Sequence, residues 1–137
     1  MTMNCLFRYP DVYTSGLAVA FVADQRLYDN IYQERYMGLL EENKANYIAG
    51  SPITHANKLQ GDLMIIHGTG DDNVHYQSFE RMADELIKHN KMFDMMIYPN
   101  RDHGIRGGNT SYHLRQTMVK YWKKVFNKDK DLIKVKQ

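Results

Sequence analysis

The sequence has a single cysteine, no long apolar run and no block of basic residues interleaved with aromatic ones. One cysteine excludes an internal disulfide, and we expect Cys5 to be a small buried residue on a helix rather than a reactive thiol. The longest apolar run, "GLAVAFVA", is far too short to span a bilayer, and no charged segment followed by an apolar one marks a signal peptide. The net charge is only +2, part of it from the tail "NKDKDLIKVKQ", which argues against a nucleic-acid partner.

What is present predicts one globular α/β domain. The 137 residues, 43% hydrophobic and 25% charged, are enough to bury a core. Three apolar runs of strand length alternate with segments of helical pattern, which favours a parallel sheet with connecting helices. The predicted strands are 15–23, 62–68 and 93–99, and the predicted helices are 1–8, 74–89 and 111–126. Residues 24–38 are predicted to be helical or irregular, and 40–61 to be a loop with a helical turn.

Two of these helices carry an apolar stripe at the helical period. In each, apolar residues recur three and four positions apart, which places them on one face. The stripes predict the helical part of the core: Phe79, Met82, Ala83, Leu86 and Ile87 in the first helix, and Leu114, Met118, Tyr121, Trp122 and Val125 in the second.

Polar loops follow the second and third predicted strands. The loop "HGTGDDNVHY" (67–76) holds Asp71, and the loop "NRDHGIRGG" (100–108) holds His103. Right-handed crossovers place the loops after parallel strands on one edge of the sheet, so these side chains are expected to meet. An aspartate that accepts a hydrogen bond from the Nδ1–H of a histidine leaves that histidine to act as a general base. The pattern is typical of the aspartate and histidine of a hydrolytic triad.

The loop after the second strand also has a structural interpretation. Asp71 and Asp72 can form a turn and cap the helix predicted from Val74. Both interpretations are compatible, because Asp72 or Asn73 can cap the helix while Asp71 orients His103. On its own, a histidine in a loop is more often an ordinary surface residue.

A metal site is the weaker alternative. His67, Asp71, Asp72 and His75 are metal-ligating residue types close together in sequence. However, His67 ends a strand, His75 falls in the next predicted helix, and no HExxH-type spacing is present. We therefore predict no metal and no cofactor.

The sequence has no GxSxG motif, the strand-to-helix elbow that carries the nucleophile in α/β hydrolases. None of its serines stands in such an elbow: Ser15, Ser51, Ser78 and Ser111. The order along the chain in these enzymes is serine, aspartate, histidine, so the serine belongs upstream of Asp71. The helical run at 1–8 starts without a lead-in, and we expect that the chain begins just past the nucleophile.

The stretches "GLAVAFVADQRLYDNIYQERYMGL", "IIHGTGDDNVHYQ" and "DHGI" identify a family resemblance. The chain resembles the C-terminal part of the catalytic domain of prolyl oligopeptidase-family serine peptidases, in the dipeptidyl peptidase IV branch. The resemblance implies the C-terminal half of a three-layer α/β-hydrolase domain over 1–126, followed by a charged tail at 127–137. It also implies that the rest of the hydrolase domain and a propeller domain are partners outside this chain.

The resemblance assigns roles to individual residues. It makes Asp71 the triad aspartate, His103 the triad histidine, and Asn73 the amide that holds a substrate carbonyl. Gln25 stands where the best-known members have a tryptophan, so the pocket differs there. The wall of the small pocket for a penultimate proline or alanine is expected to be formed by Val22, Tyr28, Tyr32 and Val74.

The function implied is that of a serine-type dipeptidyl peptidase acting on peptides, with the parent protein exported or periplasmic. Without the nucleophile, this chain alone is expected to be inactive. Two alternatives stay open: a non-enzymatic, self-associating module that forms homo-oligomers, and an acylaminoacyl peptidase or esterase on the same fold.

Overall fold

Three parallel strands form the centre of the fold. The computed structural model describes the backbone of residues 1–135 and the side chains of residues 1–127. Strands β1 (Ser15–Val19), β2 (Asp62–Gly68) and β3 (Asp94–Tyr98) lie in the order β1-β2-β3, with Ala18 opposite Ile65 and Ile65 opposite Met95. The predicted parallel sheet is confirmed.

Helices cover both faces of this sheet. Along β2, Leu63 and Ile65 join one buried cluster and Met64 and Ile66 the other, because successive side chains of a strand point to opposite faces. The first cluster includes residues of α1 (Thr2–Arg8) and α4 (Gln77–Lys88), and the second includes residues of α5 (Thr110–Val135). The α/β class with three layers is therefore confirmed.

The segment between β1 and β2 is more helical than predicted. A 3-10 turn at Gln25–Leu27 precedes α2 (Asn30–Met37), and α3 (Leu40–Gly50) runs into a 3-10 segment at Pro52–Lys58. The prediction of a loop with one helical turn at 40–61 was wrong. The Gly-Ser-Pro punctuation marks a junction between two helical segments, with proline in the first turn of the second, where its missing N–H costs nothing.

Strand β1 is shorter than the apolar run that predicted it. The strand ends at Val19 rather than at residue 23, because Ala20 has φ of 47°, in the left-handed region that alanine rarely adopts. The chain turns there and buries Phe21. The physical cause of the wrong boundary is a single backbone reversal inside a continuous apolar run.

The predicted helical faces are buried or partly buried with one exception. Phe79, Met82 and Leu86 are buried in α4, whereas Ile87 is 66% exposed, so its assignment to the core was wrong. Cys5 lies on α1 as predicted but is only half-buried. The predicted end of the last helix near 126 was wrong, because α5 continues to Val135.

The predicted tail at 127–137 therefore starts inside α5, and its charged side chains beyond 127 lie outside the described residues. The division of the chain at residue 126 stays a prediction. Among the described residues, none of the helices combines the length and the apolar character needed to cross a membrane.

Candidate active site

The loops after β2 and β3 are held together by their backbones. A Cβ atom on Gly68 would lie 2.2 Å from the carbonyl oxygen of Arg101, so only glycine permits this approach. The N–H of Gly70 donates to the same carbonyl at 3.0 Å, and the N–H of Asn100 donates to the hydroxyl of Thr69 at 2.8 Å. These contacts fix the two loops relative to each other at one edge of the sheet, as predicted for loops that follow parallel strands.

Asp71 lies at the centre of this edge, with its side chain fully buried. Its Oδ2 is 2.9 Å from Nδ1 of His103. Its Oδ1 accepts hydrogen bonds from the backbone N–H groups of Asn73, at 3.0 Å, and Val74, at 2.9 Å. One carboxylate oxygen thus shapes the loop while the other contacts the histidine.

The predicted turn at Asp71 is present, but the predicted cap of the next helix by Asp72 or Asn73 is not. Asp71 itself stabilises the turn at 71–74, whereas Asp72 is exposed. Helix α4 starts at Gln77 rather than at Val74, and its N-cap residue, Tyr76, makes no side-chain capping bond. The helix starts later because residues 71–76 form turns around the Asp71 carboxylate.

His103 lies on a loop that is anchored by a strained residue. Ile105 has φ of 48°, an unusual value for a β-branched residue, and its side chain is fully buried. Its N–H donates to the carbonyl of Asp102 at 3.0 Å, which closes a tight turn around His103. The His103 side chain is 41% exposed, and no hydrogen bond within the described residues engages its Nε2. That nitrogen is therefore accessible from solvent.

A second histidine contacts the same carboxylate. His67, fully buried at the end of β2, has its Nε2 2.8 Å from the carbonyl oxygen of Val74 and 3.1 Å from Oδ2 of Asp71. Burial lowers the pKa of His67 and outweighs these acceptors, which would raise it. His67 is thus neutral at physiological pH.

The predicted pocket residues line one cleft of about 470 Å³ that also reaches His103. Asn73 is not among the lining residues, but its Oδ1 accepts a hydrogen bond from the hydroxyl of Tyr28 at 2.8 Å, and the Tyr28 and Tyr32 rings meet edge to face at 5.5 Å. The cleft brings together the four predicted wall residues and two glutamines: Val22, Tyr28, Tyr32, Val74, Gln25 and Gln33.

The two glutamines make the cleft partly polar. The side-chain amide of Gln33 donates to Oε1 of Gln25, and Gln33 is buried although its helix is mostly exposed. The backbone N–H of Gln25 donates to the hydroxyl of Ser51 at 2.8 Å. Gln25, where the resemblance predicts that the pocket differs, is therefore one member of a hydrogen-bonded amide pair.

A buried carboxylate, Asp24, holds the segment just before Tyr28. Asp24 accepts two bonds from the guanidinium of Arg26, at 2.9 and 2.6 Å, and one from the Arg26 backbone N–H at 3.0 Å. Burial alone would raise the pKa of Asp24, but the hydrogen bonds and charge of Arg26, with the charge of Arg81, lower it overall. This network fixes the 3-10 turn that precedes Tyr28.

Other features of the described residues carry no comparable chemistry. A larger cleft, of about 680 Å³, lies between β3 and α5 and is lined by none of the predicted site residues. His75 is exposed, and no group of three metal-ligating side chains converges anywhere in residues 1–127. Of the serines, Ser51 and Ser78 are buried, and Ser51 and Ser111 bond to backbone carbonyls rather than to His103.

Sequence reasoning missed the contact between His67 and Asp71, the burial of Gln33 and the anchor at Ile105. One signal was available for His67. It follows Leu63 and Ile65 at the strand period of two, so it points into the same apolar layer, where a polar side chain needs a partner.

Comparison with known proteins agrees with this architecture. Residues 1–129 match the prolyl oligopeptidase family. A probable dipeptidyl-aminopeptidase B from Uncinocarpus reesii is 39% identical over 131 residues, which cover 93% of this chain and 14% of that protein. Dipeptidyl peptidase 4 from Bos taurus is 36% identical over 119 residues, 85% of this chain and 16% of that protein.

Solved structures give the same result. Dipeptidyl peptidase 4 from Porphyromonas gingivalis superposes with a TM-score of 0.84 at 42% identity, covering 87% of this chain and 17% of that one. A putative dipeptidyl aminopeptidase IV from Bacteroides ovatus gives a TM-score of 0.86 at 30% identity, covering 91% and 18%. The chain spans less than a fifth of these relatives, and the resemblance read from its motifs is confirmed. This chain belongs to the prolyl oligopeptidase family.

Proposed function

We propose that this chain supplies the aspartate and histidine of a Ser-His-Asp triad in a serine-type dipeptidyl peptidase. The observation that carries the proposal is the 2.9 Å contact between Asp71 Oδ2 and His103 Nδ1, at the edge of a parallel sheet and beside an accessible cleft. Membership of the peptidase family supports it independently.

The geometry suits general-base catalysis. With Asp71 accepting from Nδ1–H, the free lone pair of the neutral imidazole lies on Nε2 of His103, which is accessible from solvent. Nε2 takes the proton of a serine hydroxyl as the oxygen attacks the peptide carbonyl, and later returns it to the leaving amine. The buried Asp71 carboxylate stabilises the imidazolium formed in between.

The cleft supports a small penultimate residue. Val22, Val74 and the tyrosine rings offer apolar walls for proline or alanine beside His103. The bond from Tyr28 to Oδ1 of Asn73 leaves the amide N–H₂ of Asn73 to donate to a substrate carbonyl. Within the described residues, no hydrogen bond joins a serine to His103, so the proposal includes that the chain alone performs no acyl transfer.

A chimera tests the proposal. This chain would replace the matching 17% of the Porphyromonas gingivalis dipeptidyl peptidase 4, and hydrolysis of Gly-Pro, Gly-Ala and Gly-Phe chromogenic amides would be measured. We expect turnover with proline and alanine, rejection of phenylalanine, and a loss of about 10⁴-fold or more in His103→Ala.

The matched control is His89→Ala. His89 also pairs with a carboxylate, Glu85, and its side chain is 42% exposed, against 41% for His103. Its loss should leave turnover unchanged. Equal activity of the two variants contradicts the proposal, as does turnover of Gly-Pro amide by the isolated chain well above background.

We also propose that the isolated chain self-associates. Within the described residues, β1 and β3 each pair on one side only, and Met95 on β3 is 57% exposed. Open strand edges with exposed apolar side chains promote association between chains. Sedimentation velocity over a concentration series should show a mass that rises with concentration, and a monomer at all concentrations would contradict this.

A further inference from the structure

His67 is a buried polar side chain that the triad itself does not explain. It lies with no exposed surface at the end of β2, where its Nε2 is close to both Val74 O and Asp71 Oδ2. One nitrogen atom of a residue on β2 thus lies close to both the predicted triad carboxylate and a wall residue of the cleft.

The surroundings of the ring fix its tautomer. Both neighbours of Nε2 are acceptors, so Nε2 carries the proton. Nδ1 has no hydrogen-bond partner among the described residues. The ring instead meets the aromatic rings of Phe21, Tyr76 and Phe79 edge-on, at 5.6, 6.0 and 6.2 Å between centroids. A second proton on Nδ1 would be buried in this aromatic layer without an acceptor, so the ring is neutral.

A neutral donor suits this place better than a charged one. A buried lysine or arginine beside Asp71 would neutralise the carboxylate and compete with His103 for it. A neutral N–H orients the carboxylate oxygen and leaves its charge for the imidazolium of His103. The hydrogen bond of this N–H goes to Val74 O at 2.8 Å, and Asp71 Oδ2 lies 3.1 Å from the same nitrogen, so His67 holds the turn that presents Asp71 against a wall residue of the cleft.

Resting on the proposed function, we propose that His67 is a positioning residue for the triad: its neutral Nε2–H holds Asp71 Oδ2 and Val74 O in place, so that His103 keeps its proton on Nδ1. Such a residue touches no substrate. It acts through the carboxylate, in the way that supporting hydrogen bonds orient the ligands of an active site.

The test uses the chain as it is and requires no catalysis. Nitrogen-15 NMR of the histidine rings, at about pH 8.5 where an ordinary imidazole is neutral, shows which ring nitrogen of His103 carries its proton. His67→Gln places an amide donor near the position of Nε2, whereas the shorter His67→Asn places it near Nδ1. The two variants are similarly polar and differ in the reach of the donor.

We expect His103 in the wild-type chain and in His67→Gln to be a single Nδ1–H form, and in His67→Asn to shift towards Nε2–H. Phe79→Leu removes packing from the same ring without removing the donor, and should keep the Nδ1–H form. An unchanged tautomer in His67→Asn, or the same shift in Phe79→Leu, overturns the inference.

If His67→Asn does not fold, wild type, His67→Gln and Phe79→Leu are compared. Loss of the Nδ1–H form in His67→Gln, with retention in wild type, contradicts the inference that a donor at the position of Nε2 positions Asp71. A wild-type chain whose His103 lacks the Nδ1–H form contradicts the Asp71–His103 pair itself. That failure belongs to the proposed function and is distinguishable from failure of the His67 inference alone.

Discussion

Replacing Asp24 by asparagine should destabilise the chain and reduce its sensitivity to acid. The asparagine Oδ1 can still accept from the Arg26 backbone, but the charge that binds the Arg26 guanidinium, at 2.6 Å, and faces Arg81, at 3.7 Å, is lost. A hydrogen bond to a charged group contributes about 1.5–3 kcal/mol to the free energy of unfolding when it is shielded from solvent. The arginine side chains are 34% and 42% exposed, so solvent screening reduces their joint contribution to roughly 2 kcal/mol.

The assay is urea unfolding followed by circular dichroism at neutral and acidic pH, with thermal melting alongside. A loss of ~2 kcal/mol corresponds to a fall in Tm of roughly 6–10 °C for a chain of this size. The folded pKa of Asp24 is lower than its ordinary 3.8, so its contribution is present above pH 3.8 and is lost as the pH falls through the folded value. The difference between wild type and Asp24→Asn should therefore shrink at strongly acidic pH.

The matched control is Asp94→Asn. Asp94 binds Lys124 with both oxygens, at 3.0 and 2.8 Å, but the two side chains are 44% and 51% exposed. Exposed pairs contribute about 0–1 kcal/mol, so the control should lose little. Equal losses in the two variants, or a difference that persists in strong acid, would refute the reasoning.

Three further predictions concern folding. The folded pKa of His67 is below its ordinary 6.5, so the free energy of unfolding should fall as the pH drops below 6.5. Urea unfolding at several pH values should show a weaker pH dependence for His67→Gln. Leu86→Ala should lower the free energy of unfolding by about 2–5 kcal/mol because Leu86 is fully buried, whereas Ile87→Ala should change it by no more than about 0.5 kcal/mol. Thermal melts compare the two variants, and equal losses would mean that the buried face of the helix is misassigned. Gly68→Ala forces its Cβ against the Arg101 carbonyl and should disrupt the loop pair; unchanged backbone amide NMR shifts at residues 100–104 would contradict this.

The sheet and the position of the candidate site could be predicted because each depends on a strong, simple pattern. The run "LMII" in β2 faces a cluster on either side, which requires layers on both faces. Once the strands are parallel, the loops after β2 and β3 must share an edge, so the meeting of Asp71 with His103 follows from topology before any side chain is placed.

The errors have local physical causes that a pattern does not contain. The left-handed φ at Ala20 ends β1 within an apolar run, because the chain must turn to bring Val22 to the cleft. In α3, Tyr47 is the one buried residue, so the helix has no apolar stripe from which it could be predicted. Ile87 lies about 80° around the helix from Phe79, at the rim of the stripe, where burial depends on the neighbouring layer.

His67 and the amide pair of the cleft could not be inferred from composition, because a histidine or glutamine has many uses. Only the three-dimensional structure shows that His67 faces a carboxylate and that Gln25 meets Gln33. Their neighbours in space lie across turns, and the shape of these turns cannot be predicted from the sequence pattern.

Asp71→Asn in the chimera tests most directly whether Asp71 orients His103 for catalysis. The asparagine oxygen can keep the two backbone bonds at Asn73 and Val74, while its N–H₂ replaces the acceptor that faces Nδ1 of His103. His103 should then adopt the Nε2–H tautomer and lose its function as a base. We predict a fall in kcat of about 10⁴-fold in a variant that still folds. A fall of less than about tenfold in a folded variant would contradict it.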